Sequence, residues 1–327
     1  MSRASAVIVL GVSRSGTTLL RQMLNHHSEL AIPGESYFIV PLWERYRRRQ
    51  KTAALLADLG CVGRLRRWGI DLEKVHSSIP DGAGFAEVIQ AVYRNYAESR
   101  RKRRFGDKTP LYIQHLDILE FVFPGAQYIH IVRDGRNAAL SSDKMAHRPA
   151  RFNWFLPRGL GDFAFRWRNE VLGARRFGTT VTNGRYLEMR YEDLVAEPEA
   201  RLREISSFLG LEFENAMLQY YRDYELRSLN HTRLAEPPTP SATDWRKQMR
   251  AADIERFEAI AGDLLETFGY ERAFPHPSPW ARTRAKLDAA DSRGRLLFMR
   301  LVTPIIQRSP AWRWVQSYDR RTRRISR

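Results

Sequence analysis

The chain has 327 residues, of which 43% are hydrophobic and 11% aromatic, and its formal net charge is +17. This composition excludes a wholly disordered chain, because enough apolar side chains are present to form a sizeable core. The single cysteine, Cys61, excludes an internal disulfide. No run of about 18 apolar residues predicts a membrane-spanning helix, and no signal peptide precedes the first apolar run, so we expect a cytoplasmic protein.

The first predicted element is a buried strand over the apolar residues from Ala6 to Leu10, which ends at Gly11. A helix is predicted soon after it, because Leu20, Met23 and Leu24 recur at helical spacing. A glycine-containing loop therefore joins the first strand to the first helix.

Strands and helices alternate along the rest of the chain. Further strands are predicted at residues 128–132 and 186–191, and helices at 85–96, 137–144, 202–209 and 254–268. This alternation predicts an α/β fold with a central parallel sheet and helices on both faces in three layers.

The loop after the first strand has the composition of a phosphate-binding loop. Residues 11–18 read GVSRSGTT, with two glycines that let backbone N–H groups turn inward at the start of a helix. The spacing is that of the ATP-binding pattern, but Thr17 stands in place of its lysine and the cation is Arg14. The loop therefore suits an anion other than a nucleoside triphosphate; the alternative is a tight strand–helix turn that binds nothing.

A second anion-binding pattern follows the strand at 128–132. Arg133 comes directly after that strand, where ligands of parallel sheets bind, and a guanidinium can hold a phosphate by two hydrogen bonds. Ser141 follows eight positions later, in the predicted helix. The alternative is an ordinary salt bridge between Arg133 and Asp134.

Taken in order, these segments resemble the sulfotransferases that use 3′-phosphoadenosine 5′-phosphosulfate (PAPS). Residues 11–20 are similar to their 5′-phosphosulfate loop, and residues 131–141 to their 3′-phosphate motif. Residues 191–198 and 244–270 resemble later segments of the family, so the likeness covers roughly residues 5–273. The resemblance implies a P-loop fold, PAPS as co-substrate and sulfuryl transfer to a hydroxyl or amine. The residues that it implies for nucleotide binding are Ser13, Arg14, Ser15, Gly16, Thr17, Thr18, Arg133, Ser141 and Tyr191.

The resemblance also implies a general base. Cytosolic small-molecule sulfotransferases place a histidine soon after a Lys-Thr pair, whereas Pro110 follows Lys108 and Thr109 here. The Gly34-Glu35 pair instead resembles the Gly-Glu of tyrosylprotein sulfotransferases, which makes Glu35 the candidate base. The residue type alone favours a helix-capping or surface carboxylate.

Four histidines compete with Glu35 as bases. We expect His26 and His27 at the surface and His130 as a satisfied histidine inside a strand, and His115 remains open.

Two cations are candidates for stabilising the leaving group, on which negative charge develops. Arg14 lies in the loop, and Lys108 resembles a family lysine that contacts the transferred group; its alternative is a solvated lysine after a basic run. No His, Cys and carboxylate cluster has ligand spacing, so we predict no metal.

The C-terminal segment differs in charge from the rest. Residues 275–327 contain 13 Lys or Arg and 3 Asp or Glu, which predicts a sulfotransferase domain at 1–274 and a basic, aromatic-containing appendage at 275–327. Its apolar residues beside arginines, followed by Trp312 and Trp314, are typical of an interfacial membrane anchor. Alternatively the segment packs on the domain, since Pro304 and Pro310 interrupt a long helix.

The acceptor and two other functions stay open. Residues 38–79 and 146–160 are the least family-like, and we interpret them as substrate loops for a small-molecule, lipid or carbohydrate acceptor. A nucleotide kinase is the first alternative, and the missing loop lysine argues against it. A basic membrane or nucleic-acid adaptor is the second; no nucleic-acid reader motif is present, so no nucleic-acid partner is predicted.

Overall fold

The computed structural model describes residues 5–48, 51–146, 157–222, 234–239 and 244–309, without the side chains of 143–146. Within these ranges, five parallel strands form one sheet in the order β2-β3-β1-β4-β5. The strands are β1 (Val7–Leu10), β2 (Leu30–Ala31), β3 (Arg104–Asp107), β4 (Gln127–Val132) and β5 (Tyr186–Arg190). The predicted α/β fold with a parallel sheet is confirmed.

Helices cover both faces of the sheet because successive strand residues point to opposite sides. On β1, Ile8 and Leu10 belong to one apolar core and Val7 and Val9 to a second core across the sheet. The helices are α1 (Thr17–Asn25), α2 (Ile39–Tyr46), α3 (Thr52–Gly60), α4 (Gly63–Trp68), α5 (Leu72–Ser77), α6 (Phe85–Ser99), α7 (Leu116–Val122), α8 (Gly135–Ala146), α9 (Leu160–Thr180), α10 (Tyr191–Ala196), α11 (Pro198–Leu209), α12 (Trp245–Gln248), α13 (Ala251–Thr267) and α14 (Pro279–Arg308). Helices α1, α10 and α11 pack on the Val7 face, whereas α6, α7, α9 and α13 pack on the Ile8 face.

Two of the five strands were not predicted from the sequence. Strand β2 has two residues, and β3 has four that include Gly106, so neither shows a recognisable apolar run. Gly106 is required by close packing, since a Cβ there would lie 2.3 Å from the carbonyl oxygen of Val7 on β1. Their apolar patterns were too short to detect, but both strands position functional loops.

The prediction that residues 38–79 form loops was wrong. This segment contains the four short helices α2, α3, α4 and α5, and its apolar side chains, such as Leu42, Leu59 and Trp68, join the core on the Ile8 face. Most of the other expected loop, residues 147–156, lies outside the described ranges.

Pro304 does not interrupt the C-terminal helix. Helix α14 continues through it to Arg308. The proline removes one N–H donor near the C-terminal end, where the residue four positions earlier, Arg300, is exposed and its carbonyl can be hydrated. Pro310, Trp312 and Trp314 lie outside the described residues. Among the helices that the structure describes, none is both long and apolar enough to cross a membrane.

Candidate active site

All predicted site residues lie at one edge of the sheet, because the carboxyl ends of parallel strands meet there. The order along the edge follows the order of the strands. It runs from Glu35 after β2 and Lys108 after β3, through the loop 11–16 after β1, to Arg133 after β4 and Tyr191 after β5. Glu35 and Lys108 therefore lie on one side of the loop, and Arg133 and Tyr191 on the other.

The loop after β1 depends on its two glycines. Gly16 has a φ of +88°, and a Cβ there would lie 2.2 Å from the ring of Tyr191. A Cβ on Gly11 would lie 2.8 Å from the backbone oxygen of Ile131 on β4. The amide of Ser15 closes the turn by donating to the carbonyl of Val12 at 3.1 Å. The loop is thus a tight turn that leads directly into the N-terminus of α1, where N–H groups and the helix dipole favour an anion.

The hydroxyls of the loop differ in their surroundings. Ser13 is exposed and Thr17 is buried, whereas Thr18 is half-buried and accepts a bond from Lys108. The Oγ of Ser15 is fully buried and has no hydrogen-bond partner among the described residues. A buried polar atom without a partner is costly, so a ligand oxygen at this position fits the loop.

Arg14 links the loop to the motif after β4. Its side-chain Nε donates to Ser141 on α8 at 2.9 Å, and its backbone φ is +76°, a conformation that few non-glycine residues adopt. Arg133 donates from Nη1 to the backbone oxygen of Arg14 at 3.0 Å. The three predicted residues Arg14, Arg133 and Ser141, which are far apart in sequence, therefore form one cluster.

The ring of Tyr191 completes this side of the site. The guanidinium of Arg133 stacks over the Tyr191 ring at 4.8 Å, and the same ring packs against Gly16. The indole of Trp167 holds the backbone of Arg133 by donating to its carbonyl at 3.2 Å. Tyr191, which directly follows β5, thus contacts both the loop after β1 and Arg133 after β4.

The carboxylate of Asp134 binds Arg136. Its two carboxylate oxygens accept from the backbone and side chain of Arg136 at 2.8–3.0 Å. Arg136 is fully buried, bonds Glu258 at 2.5 Å and stacks on Trp245. This network satisfies Asp134 and ties α8 to α12 and α13, so an Arg133–Asp134 salt bridge is not what fixes the strand end.

The other side of the loop carries an ion pair. Lys108 Nζ lies 2.6 Å from Glu35 Oε1 and 3.1 Å from Thr18 Oγ1. The Lys108 side chain is 3% exposed and that of Glu35 is 32% exposed, so the alternative of a solvated lysine is wrong. Burial lowers the pKa of Lys108, and the carboxylate of Glu35 opposes that shift. Lys108 therefore places a cation beside the loop, in which Thr17 replaces the lysine of the ATP-binding pattern.

Hydrogen bonds fix the segment that carries Glu35. Ser36 binds Thr109 Oγ1 through its backbone amide at 2.9 Å and Tyr112 through its hydroxyl at 2.8 Å. Arg21 on α1 donates to the carbonyl of Pro33 at 2.7 Å. The backbone on both sides of Glu35 is thus held to the segment after β3 and to α1.

Tyr37 makes a direct contact with Glu35. Its hydroxyl donates to Glu35 Oε2 at 2.6 Å, so each carboxylate oxygen of Glu35 has a donor. Tyr37 has a φ of +57°, and Arg64 stacks over its ring at 4.7 Å. Burial and the neighbouring carboxylate raise the pKa of Tyr37 well above its usual value. Sequence analysis missed Tyr37, Ser36 and Arg21, because no residue pattern marks them.

The histidines lie apart from this ion pair or have other partners. His130 is buried in β4, as expected, and its Nδ1 bonds the hydroxyl of Tyr186 at 2.7 Å, but its Nε2 has no hydrogen-bond partner among the described residues, so the expectation of a fully satisfied histidine was wrong. His27 is 2% exposed and bonds the backbone oxygen of Glu212, so the expectation that it is at the surface was wrong. His26 is half-buried and bonds Gln22. Burial lowers the pKa of His115, which is half-buried between the 3₁₀ turn 110–114 and α7.

The described ranges hold no group of three or more His, Cys, Asp or Glu residues arranged to bind a metal ion. The charged side chains that converge on the loop are instead Arg14, Lys108 and Arg133, with Glu35 as the carboxylate. This arrangement can bind an anion along the loop and accept a proton beside it.

Comparison with known proteins shows which family the sequence resembles. A family model described as "Sulfotransferase family" matches residues 6–215. Nodulation protein NoeE of Sinorhizobium fredii is 26% identical over 292 residues, which cover 82% of this chain and 66% of that protein. Protein-tyrosine sulfotransferase A of Caenorhabditis elegans is 26% identical over 214 residues, which cover 65% of this chain and 52% of that protein. The chain thus spans between about half and two thirds of the length of these two relatives.

A solved structure has a similar fold. The sulfotransferase domain from the Synechococcus PCC 7002 olefin synthase is 25% identical, with a TM-score of 0.58, and the similarity covers 81% of this chain and 94% of that domain. The family match extends from β1 through α11 and includes Glu35, Lys108, Arg133 and Tyr191. Because that match covers more than half of the residues, the chain belongs to the sulfotransferase family.

Proposed function

We propose that this chain transfers a sulfuryl group from PAPS to a hydroxyl or amine of an acceptor molecule. The observation that carries the proposal is the ion pair of Lys108 and Glu35 directly beside the phosphate loop, with Lys108 3.1 Å from Thr18. A base and a cation that lie next to an anion-binding turn are what this transfer needs: the base takes the acceptor proton, and the cation stabilises the leaving phosphate.

The loop and the β4 motif would bind the two ends of the nucleotide. The amides and hydroxyls of residues 13–18 suit the 5′-phosphosulfate, and the buried Oγ of Ser15 would gain a partner there. Arg133 and Ser141 would hold the 3′-phosphate, and Arg14, which already bonds Ser141, would join the two halves of the site. The ring of Tyr191 would support both through its contacts with Gly16 and Arg133.

The proton transfer falls to Glu35. As the acceptor oxygen or nitrogen bonds to sulfur, its proton passes to the Glu35 carboxylate, which must be ionised beforehand. The ammonium of Lys108 and the hydroxyl of Tyr37 each bond one Glu35 oxygen, and both contacts favour the ionised form. The products are the sulfated acceptor, 3′-phosphoadenosine 5′-phosphate (PAP) and the proton on Glu35.

The cations beside the loop would stabilise the leaving group. The bond between sulfur and the bridging oxygen breaks, and that oxygen takes the electron pair as part of the 5′-phosphate. Lys108 and Arg14 are the cations on this part of the site. The low exposure of Lys108 strengthens its electrostatic effect, because water screens it little.

The acceptor would be a small molecule, a lipid or a carbohydrate. Beyond Glu35, the nearby side chains include the ring of Tyr37 and the guanidinium of Arg64 above that ring. Such surroundings suit an acceptor with an apolar or sugar-like body and an anionic or polar group, since rings bind the former and arginine the latter.

Nucleotide preference tests this proposal. The thermal unfolding midpoint of the purified chain should rise with PAP and change much less with ATP and magnesium, because only a ligand of the native state stabilises it. PAPS labelled on sulfur should then transfer its label to material in lipid, carbohydrate or small-molecule extracts. Equal stabilisation by ATP and magnesium, or the absence of labelled product from every extract, would contradict the proposal.

A further inference from the structure

Helix α14 has one face that packs on the domain. Its buried residues Ala281, Ala285, Asp288 and Ser292 recur at spacings of three and four, and the helix contacts α13, α9 and α2. Asp288 anchors it through two bonds of 2.6 Å to Arg256 on α13. The helix is therefore held in a fixed orientation, and its remaining surface is presented to solvent.

The outward face of α14 carries large apolar side chains. Those that are more than half exposed are Trp280 (68%), Leu287 (59%), Leu297 (60%), Phe298 (60%), Leu301 (65%) and Ile305 (69%). At about 100° per residue, all six fall within an arc of roughly 100° around the helix axis. Exposed apolar residues that form one surface, in contrast to scattered ones, mark an interaction site. We refer to these six residues as the α14 apolar face.

A row of cations borders this face. Arg282, Lys286, Arg293 and Arg300 are all exposed, and their spacings of four and seven residues keep them on one edge of the helix. Arg293 stacks over Phe165 of α9 at 5.6 Å, which holds it in place. We refer to these four residues as the α14 basic edge.

We propose that the α14 apolar face and basic edge together bind the surface of an anionic lipid bilayer. Apolar and aromatic side chains on one face of a helix, with Lys or Arg beside them, are the composition of helices that lie in a membrane interface. Each basic residue near an anionic surface adds about 1 kcal/mol of attraction. The sequence that follows the helix has the same character, with Trp312, Trp314, Tyr318 and six arginines in residues 310–327.

Charge favours a bilayer over a second copy of this chain as the occupant. Two copies of the α14 surface carry charge of the same sign and repel each other, whereas anionic headgroups attract it. Small side chains at Thr283, Ala290 and Gly294 also leave gaps along the outward face, which a fluid lipid surface fills more readily than another helix.

Vesicle flotation of the full chain tests the proposal. The protein should float with phosphatidylcholine vesicles that contain phosphatidylglycerol, remain unbound with phosphatidylcholine alone, and dissociate as salt is raised. This measurement requires no nucleotide and no acceptor, so its outcome is independent of whether the chain is a sulfotransferase.

Three triple variants separate the contributions. Replacing Lys286, Arg293 and Arg300 with Gln should weaken binding about 100-fold. Replacing Leu297, Leu301 and Ile305 with Gln should abolish flotation at an intermediate salt concentration at which the original chain still floats. The matched control replaces exposed cations elsewhere, Lys74, Arg103 and Arg203, with Gln and should bind as the original chain does. Circular dichroism and the unfolding midpoint confirm that each variant is folded.

Three outcomes would overturn the proposal. The first is that the chain does not bind anionic vesicles at low salt. The second is that the apolar and basic variants bind as strongly as the control variant. The third is a concentration-dependent dimer in light scattering that only the α14 apolar variant returns to monomer, which would assign the face to a second copy.

Discussion

The ammonium group of Lys108 lies 2.6 Å from the carboxylate of Glu35, although 73 positions separate the two residues in sequence. Lys108 follows β3 and Glu35 follows the edge strand β2, and the parallel pairing of these two strands brings the side chains together. Lys108 also bonds Thr18 of the phosphate loop, so the same amino group contacts the proposed base and the proposed donor site.

Replacing Glu35 with Gln tests its role as the base. Glutamine keeps the shape: its amide oxygen can accept from Lys108 while its NH2 group donates to the Tyr37 hydroxyl, but the basic carboxylate is removed. We expect kcat to fall about 10²–10⁴-fold, with PAP affinity close to that of the original chain. Rates of label transfer and PAP titrations measure the two quantities. Glu29→Gln, at an exposed carboxylate before β2, is the control and should keep full activity. If Glu35→Gln retained most of its turnover, the base would lie elsewhere, with His115 the next to test.

Replacing Arg133 with Ala tests the 3′-phosphate contact. The variant should lose roughly 1.5–3 kcal/mol of binding free energy for PAP, the scale of a hydrogen bond to a charged group. Adenosine 5′-phosphosulfate lacks the 3′-phosphate and should bind nearly as before. Calorimetric titration with both nucleotides provides the comparison.

Arg133 also bonds the loop backbone at the Arg14 carbonyl, and Ser141→Ala is the control for losing that bond. Ser141 lies in the same cluster but bonds the side chain of Arg14 and not its carbonyl. It should show the same preference on a smaller scale. Equal losses for the two nucleotides in both variants would mean that these residues support the loop and do not contact the phosphate.

Replacing Tyr37 with Phe tests a residue that the sequence did not reveal. The change removes the hydroxyl that donates to Glu35 at 2.6 Å and keeps the ring under Arg64. Because that hydroxyl stabilises the ionised carboxylate, the acidic limb of the kcat/KM profile should move to higher pH and activity should fall about 3–30-fold. PAP affinity should be unchanged. An unaltered pH profile with reduced activity would assign Tyr37 a packing role only.

Glu170 provides a pH-dependent stability prediction. It lies on α9 and accepts from Gln114 at 2.7 Å, and burial raises the pKa of its carboxyl to about 7. Because the pKa of Glu170 is higher in the folded than in the unfolded state, folding disfavours the ionised carboxyl. Below the unfolded pKa the carboxyl is neutral in both states, and the free energy of unfolding decreases as pH rises through about 7. Glu170→Gln should therefore match the original chain at pH 4 and be more stable than it at pH 8, as measured by urea unfolding. The reverse order at pH 8 would contradict the assignment.

The sequence was most informative where a pattern was long or chemically unusual. Periodic apolar residues predicted α6, α11 and α13, and the Gly-rich loop with Arg14 located the centre of the site. Arg133 and Ser141 could be associated with that loop because the strand before Arg133 is apolar over most of its length.

Other features could not be predicted because they depend on tertiary contacts. Strands β2 and β3 are too short to show a period, yet they determine where Glu35 and Lys108 meet. The hydrogen bonds of Ser36 and Tyr37 carry no sequence signature, because each depends on a partner placed by the fold. The prediction that Pro304 interrupts a long helix was wrong, because a proline near the end of a helix removes only one backbone hydrogen bond, and water can bind the carbonyl that loses it.

The position of β1 at the centre of the sheet has a consequence for synthesis on the ribosome. Val7 pairs with Gly106 of β3 on one side and Gln127 of β4 on the other, so β1 emerges about 100 residues before the first of these two partners has been translated. Its run of four buried apolar residues stays accessible throughout that interval. Closing such long loops is slow, and exposed strands of this kind are prone to aggregate. We therefore expect the nascent chain to rely on chaperones until β4 has left the exit tunnel.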